Sequence, residues 1–170
     1  MNQQTSPLAS LAPSRFTPEL NRPLRSRRKE PQEFPGAFAV QYMLHIEEIA
    51  THIVHCAIKD HKALGPGLLE SVYQQCLAYD LGKTCLTVAC EVPIPVTYDK
   101  VKIDLGFRVD MMVEKAVIIE NKTVEKLLPI HEAQLLTYLK LTDLRLGFLL
   151  NWNITLMKNG IKRMVNNLKP

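Results

Sequence analysis

The sequence contains no long apolar run of the kind that a membrane-spanning helix needs. Such a helix takes about 18 or more consecutive apolar residues, and the longest run, near Leu146–Leu150, has the length of a β-strand. The first residues, MNQQTSPLASLAPSRF, also lack the basic start and continuous apolar stretch of a secretory signal. We therefore expect a cytoplasmic protein without membrane contact.

Cysteine and histidine do not occur at the spacings of a zinc site. No two of the four cysteines form a C-x-x-C pair, so we predict reduced structural thiols. His52 and His55 could share one face of a helix, but no third ligand follows at a suitable spacing. The four cysteines are Cys56, Cys76, Cys85 and Cys90.

Residues 1–38 differ in composition from the rest of the chain. They hold six of the eleven prolines and the basic cluster Arg25–Lys29, with little apolar periodicity. Such a segment buries too little surface to fold, so we predict a disordered arm over 1–38 and one domain over 39–170. The arm has six basic and three acidic residues, whereas the domain has fifteen basic and fourteen acidic residues. The arm therefore either contacts nucleic acid or is a solvated tail.

Apolar periodicity predicts three helices in the domain. Apolar residues recur at three- and four-residue steps from about Tyr42, and the glycine–proline segment Gly65–Gly67 should end this helix. A second helix is predicted over Leu68–Leu81, where Gly82 ends it. Pro129 opens the third.

The remaining segments alternate or are continuously apolar, as strands do. The first strand runs into prolines, which predicts an edge strand or a strand with a break. The last strand follows a hairpin turn at Asn159-Gly160. The resulting order α-α-β-β-β-α-β-β predicts an α/β sandwich, a mixed central sheet flanked by helices. The predicted strands are Leu86–Val92, Lys102–Val113, Ala116–Lys122, Leu146–Trp152 and Ile161–Val165.

Two acids and a lysine fall at the ends of neighbouring predicted strands. Side chains alternate across a strand, so Glu120 and Lys122 share a face and Asn121 points away. Asp110 lies opposite Glu120 on that face if the hairpin loop has three residues, 114–116. A loop of two residues would place it on the other face.

Such a group of charges suits metal-assisted hydrolysis. Carboxylate oxygens hold Mg²⁺, the metal activates a bound water, and the lysine offsets negative charge nearby. The other interpretation is a pair of ordinary cross-strand ion pairs on a solvated face.

The second and third predicted helices each have a polar residue and a tyrosine on one face. Glu70 and Tyr73 lie three residues apart on one face of the second helix. Glu70 is therefore either an inward acid that needs a partner or an ordinary first-turn glutamate. Gln134 and Tyr138 form one stripe of the third helix, and a core tyrosine with an exposed glutamine would account for them equally.

Taken in order, these motifs resemble the GxxExxY family of the PD-(D/E)XK nuclease superfamily, on its RecB-like side. The resemblance covers about Leu44–Val165. Its motifs are G-x-G-x-x-E-x-x-Y at Gly65–Tyr73, R-x-D at Arg108–Asp110, E-x-K at Glu120–Lys122, H-x-x-Q-x-x-x-Y-L at His131–Leu139, and the segments Leu146–Trp152 and Lys158–Arg163.

The resemblance implies a role for each site residue. Asp110 and Glu120 match the metal-binding acids, Glu70 an auxiliary metal ligand, and Lys122 the catalytic lysine. The backbone carbonyl of Asn121 would be a further ligand, and Gln134 and Tyr138 match the helix motif that lines the site. The residue at position 121 is usually apolar in the family, so we expect altered packing there rather than lost chemistry.

The implied function is a nuclease that uses Mg²⁺ or Mn²⁺ to hydrolyse phosphodiester bonds, with DNA as the expected partner. A nucleic-acid-binding or regulatory module with this fold and little turnover is the alternative. The nearly neutral charge of the domain favours that alternative, because strong duplex binding usually needs a basic stripe. A phosphodiesterase for RNA or a small nucleotide is a third possibility, and the oligomeric state is not predicted.

Overall fold

The computed structural model describes residues 35–99, 101–103 and 107–166. Most of the predicted arm, residues 1–34, lies outside these ranges. Its last four residues, 35–38, belong to the first helix, which begins earlier than predicted. Among the described residues, no helix combines the length and apolarity needed to cross a membrane.

Helix α1 spans Pro35–Leu64 and helix α2 spans Glu70–Lys83. The predicted start of α1 at Tyr42 was too late, because Pro35 suits the first position of a helix and no breaker after Gly36 interrupts it. Its predicted end is confirmed: Gly65 takes a left-handed φ of 70°, and its N–H donates to His61 O at 2.9 Å.

Gly82 does not end α2 as predicted. The helix continues through it to Lys83, and Thr84 then caps the last turn by donating from its hydroxyl to Leu81 O at 2.7 Å. An exposed glycine inside a helix lowers the helix propensity without forcing an end, so the predicted boundary was two residues early at this terminus.

The described part of the chain contains seven strands, five of them in one sheet. The sheet order is β1-β4-β5-β6-β7, and β2 and β3 form a separate hairpin. All pairs in the large sheet are antiparallel except β5 with β6, which are parallel. The strands are β1 Val88–Pro93, β2 Val96–Tyr98, β3 Val101–Ile103, β4 Arg108–Val113, β5 Val117–Lys122, β6 Leu146–Asn151 and β7 Ile161–Val165.

Two strand predictions need correction. The single strand predicted over Lys102–Val113 is two strands, β3 in the small hairpin and β4 in the large sheet. Asn159-Gly160 is not a tight hairpin turn but the end of a short helix, α4 (Met157–Gly160). The first strand was predicted to be an edge strand or a strand with a break. It is an edge strand, since β1 lies at the edge of the large sheet, and it ends at Pro93 before the chain enters the hairpin at β2.

Helices cover both faces of the sheet. Successive side chains of a strand point to opposite faces, and β5 divides accordingly: Val117 and Ile119 pack in one core with α1 and α2, and Ile118 packs in a second core with helix α3 (Pro129–Thr142). Helix α3 also supplies the crossover between the parallel strands β5 and β6. The predicted α/β sandwich is confirmed.

The four cysteines are free thiols in the structure, and no contact among the described residues tests the prediction that they are structural. Cys56 is buried in the core, Cys76 is partly buried, and Cys85 and Cys90 are exposed.

Candidate active site

The β4–β5 hairpin determines whether the two predicted acids meet. Its register pairs Met111 with Ile119 and Val113 with Val117, which leaves three residues, 114–116, in the loop. Glu114 and Lys115 both have a left-handed φ, 51° and 53°, and Ala116 N–H closes the turn on Val113 O at 2.9 Å. The three-residue alternative is therefore correct, and Asp110 lies opposite Glu120.

Asp110, Glu120 and Lys122 converge at the carboxyl end of β5. Lys122 Nζ lies 3.3 Å from Glu120 Oε2 and 3.9 Å from Asp110 Oδ2. The backbone joins the same group: Asp110 N–H donates to Glu120 Oε1 at 3.3 Å, and Asn121 N–H donates to Asp110 Oδ2 at 2.7 Å. Two carboxylates and one ammonium group thus share a small, partly buried space.

Burial changes the pKa values of these three side chains. It raises the pKa of Glu120 to about 7, and the charge of Asp110 adds to the increase. Burial also raises the pKa of Asp110, whereas the hydrogen bond from Asn121 N–H and the charge of Lys122 lower it by less. For Lys122, burial lowers the pKa, but the charges of Glu120, Asp110 and Glu70 outweigh it and the net shift is upward. The site carries more negative charge than one lysine offsets.

Glu70 reaches the site from the start of α2. It is half-buried as the first residue of that helix, and its N-cap residue Leu69 supplies no side-chain cap. Burial raises the pKa of Glu70, whereas the charge of Lys122 and a backbone hydrogen bond from Thr123 lower it. Glu70 is therefore an inward acid near the group on β5, rather than a solvated first-turn glutamate.

Gln134 and Tyr138 pair with each other on α3. Gln134 Nε2 donates to Tyr138 Oη at 2.8 Å, and the Tyr138 ring is buried in the second core, with Phe107 edge-on at 6.3 Å between ring centroids. Within the described ranges, neither residue makes a hydrogen bond to the acids or to the lysine. The structure thus brings Asp110, Glu120 and Lys122 into contact. Glu70 is close enough for its pKa to respond to the charges of Asp110 and Lys122.

Glu91 is a further acid at this site, and the sequence analysis did not single it out. The β1–β4 register pairs Cys90 with Met111 and Val92 with Val109, which puts Glu91 opposite Asp110. Its φ of 53° is unusual within a strand. Its charge raises the pKa of Asp110 and of Glu70. An acid between apolar residues in a predicted strand was the available signal, but its position depends on a register that the sequence does not reveal.

Asn121, the residue that departs from the family pattern, points away from the acids as predicted. Its side chain is fully buried, and its Oδ1 accepts a hydrogen bond from Trp152 Nε1 at 2.9 Å. Its backbone N–H faces Asp110. Position 121 therefore belongs to the site through its backbone and to the core through its side chain.

A model of the PD-(D/E)XK nuclease superfamily matches residues 47–164, well over half of the chain. The chain belongs to the PD-(D/E)XK nuclease superfamily. Neither a curated protein nor a solved structure matches it. Membership of the PD-(D/E)XK superfamily implies a nuclease that cleaves phosphodiester bonds and uses a divalent metal. The matched residues include Asp110, Glu120 and Lys122, which converge in the structure, and also Glu70.

The donors at this PD-(D/E)XK site fit a divalent metal that prefers oxygen ligands. Magnesium commonly takes one or two carboxylates and keeps several waters, and Asp110 and Glu120 supply two. Burial raises the pKa of both carboxyls, because it disfavours their charged forms, and a bound cation would favour those forms. Among the described residues, no three or more His, Cys, Asp and Glu side chains form a group ready to hold a metal ion. The ammonium of Lys122 lies beside both carboxylates and takes part of the role of a counter-ion.

Proposed function

We propose that this protein is a metal-dependent nuclease of the GxxExxY type, that its substrate is DNA, and that Mg²⁺ or Mn²⁺ is its metal. The convergence of Asp110, Glu120 and Lys122, with the lysine Nζ at 3.3 and 3.9 Å from the two carboxylates, carries the proposal. Ordinary ion pairs on a solvated face do not account for it, because Glu120 is 1% exposed and solvated pairs remain in water.

Each residue of the group has a distinct task in this proposal. Asp110, Glu120 and the backbone carbonyl of Asn121 hold the metal, with Glu70 as an auxiliary ligand. When bound, the metal activates a water and neutralises charge on the phosphate. Lys122 orients that water or stabilises the negative charge that develops on the phosphate, because its ammonium stays protonated beside the carboxylates.

Gln134 and Tyr138 complete the proposed site. Their mutual hydrogen bond fixes both side chains on α3, and from there they contact the DNA backbone. Contact with Lys122 is the other role that the resemblance implies for this pair.

Labelled DNA in linear, nicked and single-stranded form, with RNA alongside, tests the proposal in titrations with Mg²⁺ and Mn²⁺. Lys122→Ala should cut turnover by a factor of about 100 or more, as for loss of an electrostatic stabiliser, and should retain metal binding. Asp110→Asn should abolish the metal-induced rise in melting temperature, because the amide keeps the shape and loses the charge.

Matched controls make the same chemical changes away from the site. Lys115→Ala alters the exposed turn at the other end of β5, and Asp143→Asn alters the exposed C-cap of α3, where asparagine tolerates the left-handed φ of 56°. Both should behave like the wild type. Wild-type turnover in Lys122→Ala, or an unchanged metal-induced shift in Asp110→Asn, would contradict the proposed site.

The alternative, a nucleic-acid-binding module with little turnover, is favoured by a contact in the structure as well as by the nearly neutral charge of the domain. Lys122 already serves as a counter-ion to both carboxylates, so the group is partly neutralised without a metal. DNA binding without product at any metal concentration would support this alternative. Cleavage of RNA in preference to DNA would change the assigned substrate and leave the metal site in place.

A further inference from the structure

Trp152 makes two hydrogen bonds to consecutive residues of the site strand. It follows the last residue of β6 and is fully buried. Its backbone N–H donates to Lys122 O at 2.8 Å, and its indole N–H donates to Asn121 Oδ1 at 2.9 Å. One residue that bears no catalytic group thus fixes the carbonyl of Lys122 and the side chain of Asn121, which follows Glu120.

The other face of Trp152 is tied to the start of α2. Its ring stacks on Tyr73 at 4.7 Å between centroids, with 7° between the planes. Tyr73 Oη in turn donates to Gly65 O at 2.5 Å and accepts from Leu68 N–H at 3.2 Å, so it secures the turn that precedes Glu70. Trp152 therefore connects the two segments that bring acids to the site.

Core packing alone does not account for the polar contact. Asn121 is buried, and among the described residues its Nδ2 has no hydrogen-bond partner. A buried amide with an unpaired donor is less favourable than an apolar side chain of the same size. Asn121 also donates its backbone N–H to Asp110 Oδ2 at 2.7 Å. The indole bond therefore holds the residue that orients a metal-binding carboxylate.

We propose that Trp152 is a positioning residue of this site: it fixes the Asn121 peptide, and through that peptide the Asp110 carboxylate and the Asn121 carbonyl. The inference rests on the proposed function and names a part of the chain to which no role has been assigned. Trp152 contacts neither metal nor substrate in this scheme. Residues that orient metal ligands typically change metal affinity or activity by about 10- to 100-fold when replaced.

Trp152→Phe separates positioning from packing. It keeps an aromatic ring to stack on Tyr73 and keeps the backbone N–H, but it loses the indole N–H. We expect affinity for Mn²⁺ to fall about 10-fold or more, measured by isothermal titration well below the unfolding temperature. In activity assays the half-saturating metal concentration should rise by the same factor, and kcat should recover at saturating metal.

Phe148→Leu is the matched control for lost packing. Phe148 lies on the same strand and in the same core cluster, and none of the contacts described above includes it. We expect this variant to be less stable than the wild type with unchanged metal affinity. An equal loss of affinity in both variants would reduce Trp152 to a packing residue and overturn the proposal.

Asn121→Leu tests the same link from its other end, and it serves if Trp152→Phe fails to fold. Since either change breaks the indole–amide bond, the double variant should lose no more metal affinity than the weaker single variant. Losses that multiply would show that the two residues act independently and would overturn the proposal. If the wild type binds metal and cleaves DNA, and the variants behave like it, only the role of Trp152 is refuted. If the wild type neither binds metal nor cleaves DNA, the proposed function is refuted as well.

Discussion

The carboxyl group of Asp60 should make the stability of this protein depend on pH near neutrality. Asp60 is 5% exposed at the contact of α1 with α2, and its Oδ2 has no hydrogen-bond partner among the described residues. Burial, a hydrogen bond to Asp80 and the charge of Asp80 together raise its pKa from 3.8 to about 7. Lys59 and Lys83, which bind Asp80, only partly oppose this shift.

The direction of the effect follows from where the proton is held. Between pH 5 and pH 7 the folded protein keeps a proton on Asp60 that the unfolded chain has released. The stabilisation is therefore complete below pH 3.8 and is lost as the pH rises through 7. At about 1.4 kcal/mol per pH unit, the loss over these two units is about 3 kcal/mol.

Asp60→Asn should remove this dependence. The amide can donate to Asp80 as the protonated acid does, and it carries no charge at any pH. We expect the difference in free energy of unfolding between the variant and the wild type to grow in favour of the variant by about 3 kcal/mol from pH 5 to pH 8. Urea denaturation followed by circular dichroism at pH 5, 6, 7 and 8 measures the difference. Glu120, whose pKa is also about 7, is present in both proteins and cancels.

Asp80→Asn is the matched control on the facing helix. The pKa of Asp80 is lowered by its hydrogen bonds to Lys59, Asp60 and Lys83, so its stabilisation is lost only as the pH falls below 3.8. This variant loses the ion pairs with Lys59 and Lys83, so it should be less stable than the wild type at pH 5. Because it also removes a charge that raises the pKa of Asp60, its stability should fall less steeply between pH 5 and pH 8. A free-energy difference between Asp60→Asn and the wild type that stays constant across this range would refute the reasoning.

Two further predictions concern the packing of one glycine and the basic arm. Gly160→Ala should lower the free energy of unfolding by about 1–3 kcal/mol, because an added Cβ would lie 2.3 Å from the backbone O of Asn151. Gly82→Ala, where nothing lies within 4 Å of the added Cβ, should be neutral or stabilising in the same urea titration. Equal losses of free energy of unfolding in the two variants would contradict the clash. A chain that begins at Pro35 should bind DNA with the salt dependence of the full chain. Each phosphate contact adds roughly 0.7–0.9 to the log–log slope of affinity against salt, so a slope shallower by several such steps would assign DNA contacts to the arm.

Local chemistry made much of this fold predictable. Gly65–Gly67 had to end α1 because of its glycine and proline content, and Pro129 started α3 as expected. Period-two alternation gave the order of the strands, and the E-x-K spacing placed Glu120 and Lys122 on one face. Each of these features depends on residues within a few positions of one another.

The remainder depends on contacts between distant segments. The sequence alone allowed a loop of either two or three residues between β4 and β5. The length of that loop determines whether Asp110 lies opposite Glu120, and only the structure shows that it has three residues, 114–116. Glu91 gained its position only through the β1–β4 register. Gly160 resembled a turn residue, whereas its lack of a side chain is needed for close approach to the backbone of Asn151. Sequence spacing contains none of these distances.

The position of Trp152 gives the protein an optical reporter of its own. It is the one tryptophan in the sequence, so emission excited at the red edge of the absorption band comes from a single place. That place is fully buried and hydrogen-bonded to the Asn121 side chain, whose backbone donates to Asp110. Paramagnetic Mn²⁺ near Asp110 should quench this emission, and Mg²⁺ should compete with the quenching. Metal occupancy, and its displacement by substrate, can then be followed in the unlabelled wild-type chain at the speed of a stopped-flow fluorimeter.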